Sequence, residues 1–241
     1  MSKETFIQVS DFKLFTKLIG KKNGKPTVVM EAGYGDYSKG WNSIVSEVAS
    51  LTEVLVYDRA GLGKSESSSN PRTSLEMVIE LKELLNKMTI NPPYLLVGHS
   101  FGGVNARLYA STYPDDVSGL ILVDSTPADY RERFLPTMSE GFQKAYDKQF
   151  IVEGNYDEFG ESLNQLKNCK VKLSVPLIVL SAGKKHHYSD ESQNLWNQLQ
   201  EEILQYSSNS ELIIAKNSAH YIQDDEPSIV IGAINRLLEI S

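Results

Sequence analysis

Cysteine is almost absent from this 241-residue chain, where Cys169 stands alone. A single thiol excludes an intramolecular disulfide, and no second cysteine is at hand for a structural zinc site. Histidine is scarce as well: His99, His186, His187 and His220 are the full set, and none belongs to a cluster with metal-ligand spacing. Basic excess is also lacking. Lys and Arg total 24 against 31 Asp and Glu, a net charge of −7 with no basic patch, which argues against nucleic acid as a partner. Residues 1–10 contain no apolar core of the signal-peptide kind, and nowhere do about 18 apolar residues run together. The expectation is a soluble, cytoplasmic protein with no membrane contact, no metal and no cofactor. Its oligomeric state is not readable from the sequence.

Apolar residues are instead grouped in short runs. Thr5 to Val9 and Phe12 to Ile19 read as strands joined by a turn at Ser10-Asp11. Thr27 to Glu31, Glu53 to Tyr57, the run ending at Gly98, Leu120 to Val123, Leu177 to Ser181 and Glu211 to Ala215 read as further strands. Between them apolar residues recur at helical spacing. One set is Trp41, Ile44, Val45 and Val48; another is Val78, Leu81, Leu85 and Met88, after a Thr73-Ser-Leu-Glu76 capping box. Val104 and Leu108 mark a third helix. Trp196, Leu199, Ile203 and Tyr206 mark a fourth, and Ile231, Ile234 and Leu238 a last one that starts at Pro227. Alternation of strand and helix implies a mainly parallel sheet with helices on both faces. It stops between Ser125 and Ser174, a segment helical in character, rich in aromatics and too long for a simple connection. The expected organisation is one α/β core, residues 1–124 and 175–241, interrupted by a helical lid at 125–174.

The chemistry centres on Gly98-His99-Ser100-Phe101-Gly102, which follows a buried strand and opens a helix. That is the context of a nucleophile elbow, with a serine at the tip of a tight turn and glycines where side chains would collide. A serine hydroxyl needs a base, and histidine has a suitable pKa. His220 follows a late strand and precedes the last helix, so its loop lies at the sheet edge where the elbow opens. His99 lies inside the elbow and is expected to pack beneath it, whereas His186 and His187 read as a solvated loop. A third residue must orient the imidazole. Asp124, at a strand end, is favoured over Asp190, which lies deeper in a loop. Backbone N–H groups of Tyr34, after Gly33, and of Phe101 are the expected oxyanion donors. Gly63-Lys64-Ser65 lacks the earlier glycine of a phosphate-binding loop, and Asp58 to Gly63 lacks the third glycine of a dinucleotide fingerprint.

With these features in place the chain resembles the α/β-hydrolase superfamily from about Thr27 onward. Tyr57-Asp-Arg-Ala-Gly-Leu-Gly-Lys-Ser65 is similar to the Asp-x-x-Gly-x-Gly-x-Ser segment of that family, and Ala219-His220-Tyr-Ile-Gln223 to its histidine loop. The resemblance implies an eight-stranded, mostly parallel sheet and a Ser-His-acid triad. Two departures stand out: Ala32-Gly33 replaces the usual His-Gly of the oxyanion loop, and no acid lies close after Gly183. Some members, haloalkane dehalogenases among them, carry the acid where Asp124 falls, but a serine nucleophile is incompatible with dehalogenase or epoxide-hydrolase chemistry. The function expected is hydrolysis of a small or moderately apolar carboxylic ester through an acyl-enzyme. The same triad acting on a lactone, thioester, amide or carbon–carbon bond is an alternative. Another is a slow-turnover ligand sensor that binds a protein partner through its lid.

Overall fold

A computed structural model describes residues 2–169 and 171–240. Two strands, β1 (Ser2–Val9) and β2 (Phe12–Ile19), form an antiparallel hairpin at one edge of an eight-stranded sheet. The first begins three residues earlier than Thr5, because the polar Ser2, Lys3 and Glu4 still pair with Ile19, Leu18 and Lys17. An edge strand tolerates such residues, since one of its sides faces solvent. Next come β3 (Thr27–Glu31), helix α1 (Val45–Leu51), β4 (Val54–Tyr57), α2 (Ser74–Lys87), β5 (Tyr94–His99), α3 (Phe101–Thr112) and β6 (Val117–Val123). After β6 a helical segment contains α4 (Glu140–Lys148) and α5 (Tyr156–Asn168). The chain then returns to β7 (Leu177–Ala182), α6 (Asp190–Glu202), β8 (Ser210–Ala215), α7 (Ile222–Asp225) and α8 (Pro227–Glu239). The sheet order is β1-β2-β4-β3-β5-β6-β7-β8, parallel from β4 through β8.

Successive strand residues point to opposite faces, and here both faces are apolar. Val28, Met30, Val54, Val56, Leu95, Val97, Ile121 and Val123 pack with α1 and α8 on one side. Val29, Leu55, Tyr94, Leu96, Leu120 and Leu122 pack with α2 and α3 on the other. A third cluster joins Phe101 and Val104 of α3 to Tyr146, Phe159, Leu163 and Trp196, so the helical segment after β6 is seated on the core near the elbow.

Two local expectations are corrected. Trp41 belongs to a short 3-10 turn, Ser38–Trp41, and α1 starts only at Val45. Thr73 makes no side-chain cap to α2. The free N–H groups of Ser74 and Leu75 instead donate to Ser162 Oγ at 2.8 Å and Gln165 Oε1 at 2.9 Å, both on α5. Tertiary acceptors thus do the work of a local cap. Among the described residues no helix is long and apolar enough to cross a membrane.

Candidate active site

Ser100 stands between β5 and α3 with φ 53° and ψ −120°. Such a backbone is strained for an L-residue, and it is held from several sides. Ser100 N–H donates to Val123 O at 3.0 Å, while its own carbonyl accepts from Gly103 N–H at 3.0 Å and Thr126 N–H at 3.1 Å. The glycines are a steric requirement. A Cβ on Gly98 would stand 2.5 Å from Gly102 O and 2.7 Å from Gly103 Cα, and one on Gly102 would collide with the carbonyls of Glu31 and Ala32.

Asp124 follows β6, is completely buried and also has positive φ, 44°. Its Oδ2 lies 2.6 Å from His220 Nδ1. Its Oδ1 accepts from Ala182 N–H at 3.0 Å and Trp196 Nε1–H at 2.7 Å. Burial alone would raise the Asp124 pKa, but the Lys185 ammonium, 2.5 Å from Oδ2, and His220 together hold it well below the usual carboxylate range. Asp190 is placed differently. It is the exposed first residue of α6, where a carboxylate suits the positive helix end, and Asp124 is the carboxylate that meets His220.

His220 sits in the loop between β8 and α7, with its side chain 39% exposed. The loop is pinned by Glu226, which accepts from Asn217 N–H at 3.0 Å and Ser218 Oγ at 2.6 Å, and by Asp225, which accepts from Ala219 N–H at 2.8 Å. His99 packs below the elbow as expected, and it also bonds His220: Nε2 lies 2.9 Å from the His220 carbonyl oxygen and the rings are 4.7 Å apart. Burial pushes the His99 pKa down to about 3, so its ring is neutral at ordinary pH and Nε2–H is the donor to that carbonyl.

Ser100 and His220 open onto one cavity of about 480 Å³. Tyr34, Phe101 and Tyr188 contribute rings to its wall, as do Tyr130, Phe142, Tyr146 and Phe159 from the segment after β6 and Trp196 from α6. His186 and His187 are exposed, as a solvated loop would be, yet they also line this cavity. Tyr34 follows Gly33, and a Cβ on Gly33 would stand 3.4 Å from Ser100 Cβ, so this loop lies directly against the serine. Among the described residues the backbone N–H groups of Tyr34 and Phe101 have no acceptor. Among the described residues no group of three or more His, Cys, Asp or Glu is placed to hold a metal ion.

Two residues escape local sequence reasoning. Lys185 sits in a Lys-Lys-His-His run that reads as solvated, but its side chain is only 6% exposed; its ammonium lies against Asp124 and 3.3 Å from the centre of the Trp196 ring. Burial lowers its pKa to about 8 in spite of the Asp124 charge. Arg59, inside the Asp-x-x-Gly-x-Gly segment, is buried and bonds the carbonyls of Ala32 and Gly33, each at 2.7 Å.

The model of the α/β hydrolase fold family matches residues 26–150, from just before β3 through the elbow and past Asp124. An uncharacterized protein of Bacillus subtilis (strain 168), YqjL, is 39% identical over 210 residues, covering 86% of this chain and 81% of that one. Among solved structures, the esterase EaEST from Exiguobacterium antarcticum aligns with TM-score 0.72 at 17% identity, over 98% of this chain and 100% of that one. The haloalkane dehalogenase DatA from Agrobacterium tumefaciens C58 aligns with TM-score 0.71 at 14% identity, over 100% of this chain and 97% of that one. An esterase and a dehalogenase fit equally well, so these two likenesses speak for the fold and leave the reaction to the site. By its sheet, its strained serine elbow and the family match across more than half its length, the chain belongs to the α/β-hydrolase superfamily.

Proposed function

We propose that the protein hydrolyses a carboxylic ester through an acyl-enzyme, with Ser100 as nucleophile, His220 as general base and acid, and Asp124 as the group that orients it. The observation that carries this reading is the 2.6 Å contact of Asp124 Oδ2 with His220 Nδ1, at a cavity that Ser100 shares. An ionised carboxylate only accepts. Nδ1 therefore bears the proton and Nε2 keeps the lone pair that takes the Ser100 proton.

As Ser100 Oγ bonds to the carbonyl carbon, the carbonyl π electrons move onto oxygen. The N–H groups of Tyr34 and Phe101 are the proposed donors to that oxyanion, with the positive end of α3 behind them. Collapse breaks the bond to the leaving alkoxide, which takes the proton from His220. A water molecule then repeats the sequence on the acyl-enzyme and frees Ser100. Residues 125–174 act as a lid over the core of 1–124 and 175–241, a reading supported by the four aromatic side chains they place in the cavity wall. A cavity walled by rings more than by aliphatic chains favours an acyl or alcohol part that is flat and apolar.

A panel of p-nitrophenyl esters, thioesters, lactones and anilides tests the bond type. Wild-type turnover should be highest on aryl or short acyl esters, and Ser100→Ala should lower kcat by about 10,000-fold or more. Full turnover by Ser100→Ala would overturn the reading, and a clear preference for a lactone, thioester or anilide would move it to that bond.

A further inference from the structure

Arg59 is buried, and its acceptors come from β3, the loop after it and the segment after β6. A guanidinium has five N–H donors, and all five are engaged. Nε–H reaches Glu153 Oε1 at 2.5 Å, and Nη2 reaches Glu153 Oε2 at 2.9 Å and Gly33 O at 2.7 Å. Nη1 reaches Ala32 O at 2.7 Å and Glu31 Oε2 at 3.2 Å. Two of these acceptors are consecutive carbonyls of the loop that precedes Tyr34. The fork is forced toward them by the carboxylates of Glu31, at the end of β3, and of Glu153, in the segment after β6.

Glu153 and its neighbour fasten that segment to the same loop. Glu153 Oε2 accepts from Gly35 N–H at 3.0 Å. The Tyr34 hydroxyl donates to Gly154 O at 2.5 Å and accepts from Gly154 N–H at 3.0 Å. Arg59 and Glu153 are both buried, with side chains 3% and 0% exposed. Removing either charge would leave the other without its main compensation in a medium that solvates it poorly.

The Gly33–Tyr34 peptide is trans, so its carbonyl and its N–H point in opposite directions. Fixing Gly33 O on Arg59 therefore fixes Tyr34 N–H on the far side of the loop from Arg59. We infer that Arg59 and Glu153 are positioning residues for the oxyanion donor Tyr34 N–H, and that through Glu153 the seating of the 125–174 segment is coupled to the readiness of that donor. When the segment is seated, Glu153 completes the guanidinium shell and the loop is held. When it lifts, Arg59 loses its bidentate partner and the loop loses its anchor. This inference rests on the reading of Tyr34 and Ser100 in the proposed function.

The test compares Glu153→Gln, Arg59→Lys and the neutral pair Arg59→Met/Glu153→Met with wild type on one p-nitrophenyl ester, with melting temperatures and fluorophosphonate labelling rates alongside. Losing one oxyanion donor costs on the order of 100- to 1,000-fold in kcat. A loosened donor should therefore cost Glu153→Gln about 10-fold or more, and Arg59→Lys at least as much, because an ammonium cannot hold two carbonyls and a carboxylate in one plane. KM should stay within about 3-fold, and Ser100 labelling should slow in parallel with kcat. The neutral pair guards against variants that simply fail to fold, since replacing the members of a buried ion pair with apolar side chains often leaves stability unchanged or improved, and Glu31, whose pKa burial already raises and which keeps its bond from the Tyr57 hydroxyl, can take up a proton once Arg59 is gone. It should melt close to wild type and still show the low kcat. Recovery of kcat together with stability in the neutral pair, or a rise in KM alone in the single variants, would overturn the inference. A wild-type protein without Ser100-dependent turnover would instead remove the reading beneath it.

Discussion

Lys185 and His220 meet on one oxygen of Asp124. The Lys185 ammonium lies 2.5 Å from Oδ2 and the His220 Nδ1 lies 2.6 Å from the same atom. Under the proposed mechanism a cation there would compete with the imidazolium that forms when His220 takes the Ser100 proton.

This arrangement gives the pH profile a second feature. Burial brings the Lys185 pKa down to about 8, against the pull of Asp124. Below that pH the ammonium offsets the Asp124 charge; above it the amine is neutral and the full carboxylate charge stabilises the His220 cation. The kcat/KM of wild type should therefore rise by about 3- to 10-fold through pH 8, roughly 0.6 to 1.4 kcal/mol. Lys185→Met should already show the higher value at pH 7 and no step at pH 8. Identical profiles for the two proteins would refute the competition.

His99 holds the backbone of the histidine loop and remains uncharged. Because its folded pKa lies near 3, below the usual histidine value, the unfolded chain binds the extra proton first as pH falls. Its contribution to stability is present above about pH 6.5 and is lost progressively from there toward pH 3. His99→Phe keeps the ring but gives up the bond to His220 O, which should cost about 1–3 kcal/mol at pH 7 and lower kcat by about 10-fold. Denaturant titrations at pH 7 and pH 5 check the linkage: wild type should lose more stability between them than the variant does. Equal losses would show that His99 is not the group responsible.

Gly98→Ala tests the elbow itself. The added methyl would meet backbone atoms of Gly102 and Gly103 that no side-chain rotation can move aside. A loss of about 3 kcal/mol or more, with collapse of activity, should appear in urea titration and in turnover. A variant of wild-type stability would mean that the strand and helix approach less closely than described.

The parts legible in the sequence are those with local causes. Serine between glycines at a strand-to-helix turn marks the elbow because the pattern is itself local, and at Gly98 the colliding atoms belong to Gly102 and Gly103 a few positions on. Asp124 and His220 can be picked out because each ends a strand or follows one at the same sheet edge. The two-faced apolar strands and the helical spacings are read the same way. Arg59, Lys185 and the start of α2 are not, because their partners are remote. Arg59 is defined by Glu153, 94 positions away, and the first N–H groups of α2 by Ser162 and Gln165, 88 and 90 positions from their donors. Lys185 looks like any exposed lysine until Asp124 and Trp196 are found around it. Trp41 misleads for a related reason: its helical spacing reflects packing onto the sheet and not membership of α1.

Whether Ser100 carries the acyl group is read by acid-quenching a p-nitrophenyl ester reaction within the first turnovers and mapping acylated peptides by mass spectrometry. A burst of about one p-nitrophenol per chain and an acyl adduct on the peptide containing Ser100 are expected, both absent in Ser100→Ala. Continued turnover with no acyl group on Ser100, or an adduct on another residue that persists in Ser100→Ala, would contradict an acyl-enzyme on Ser100.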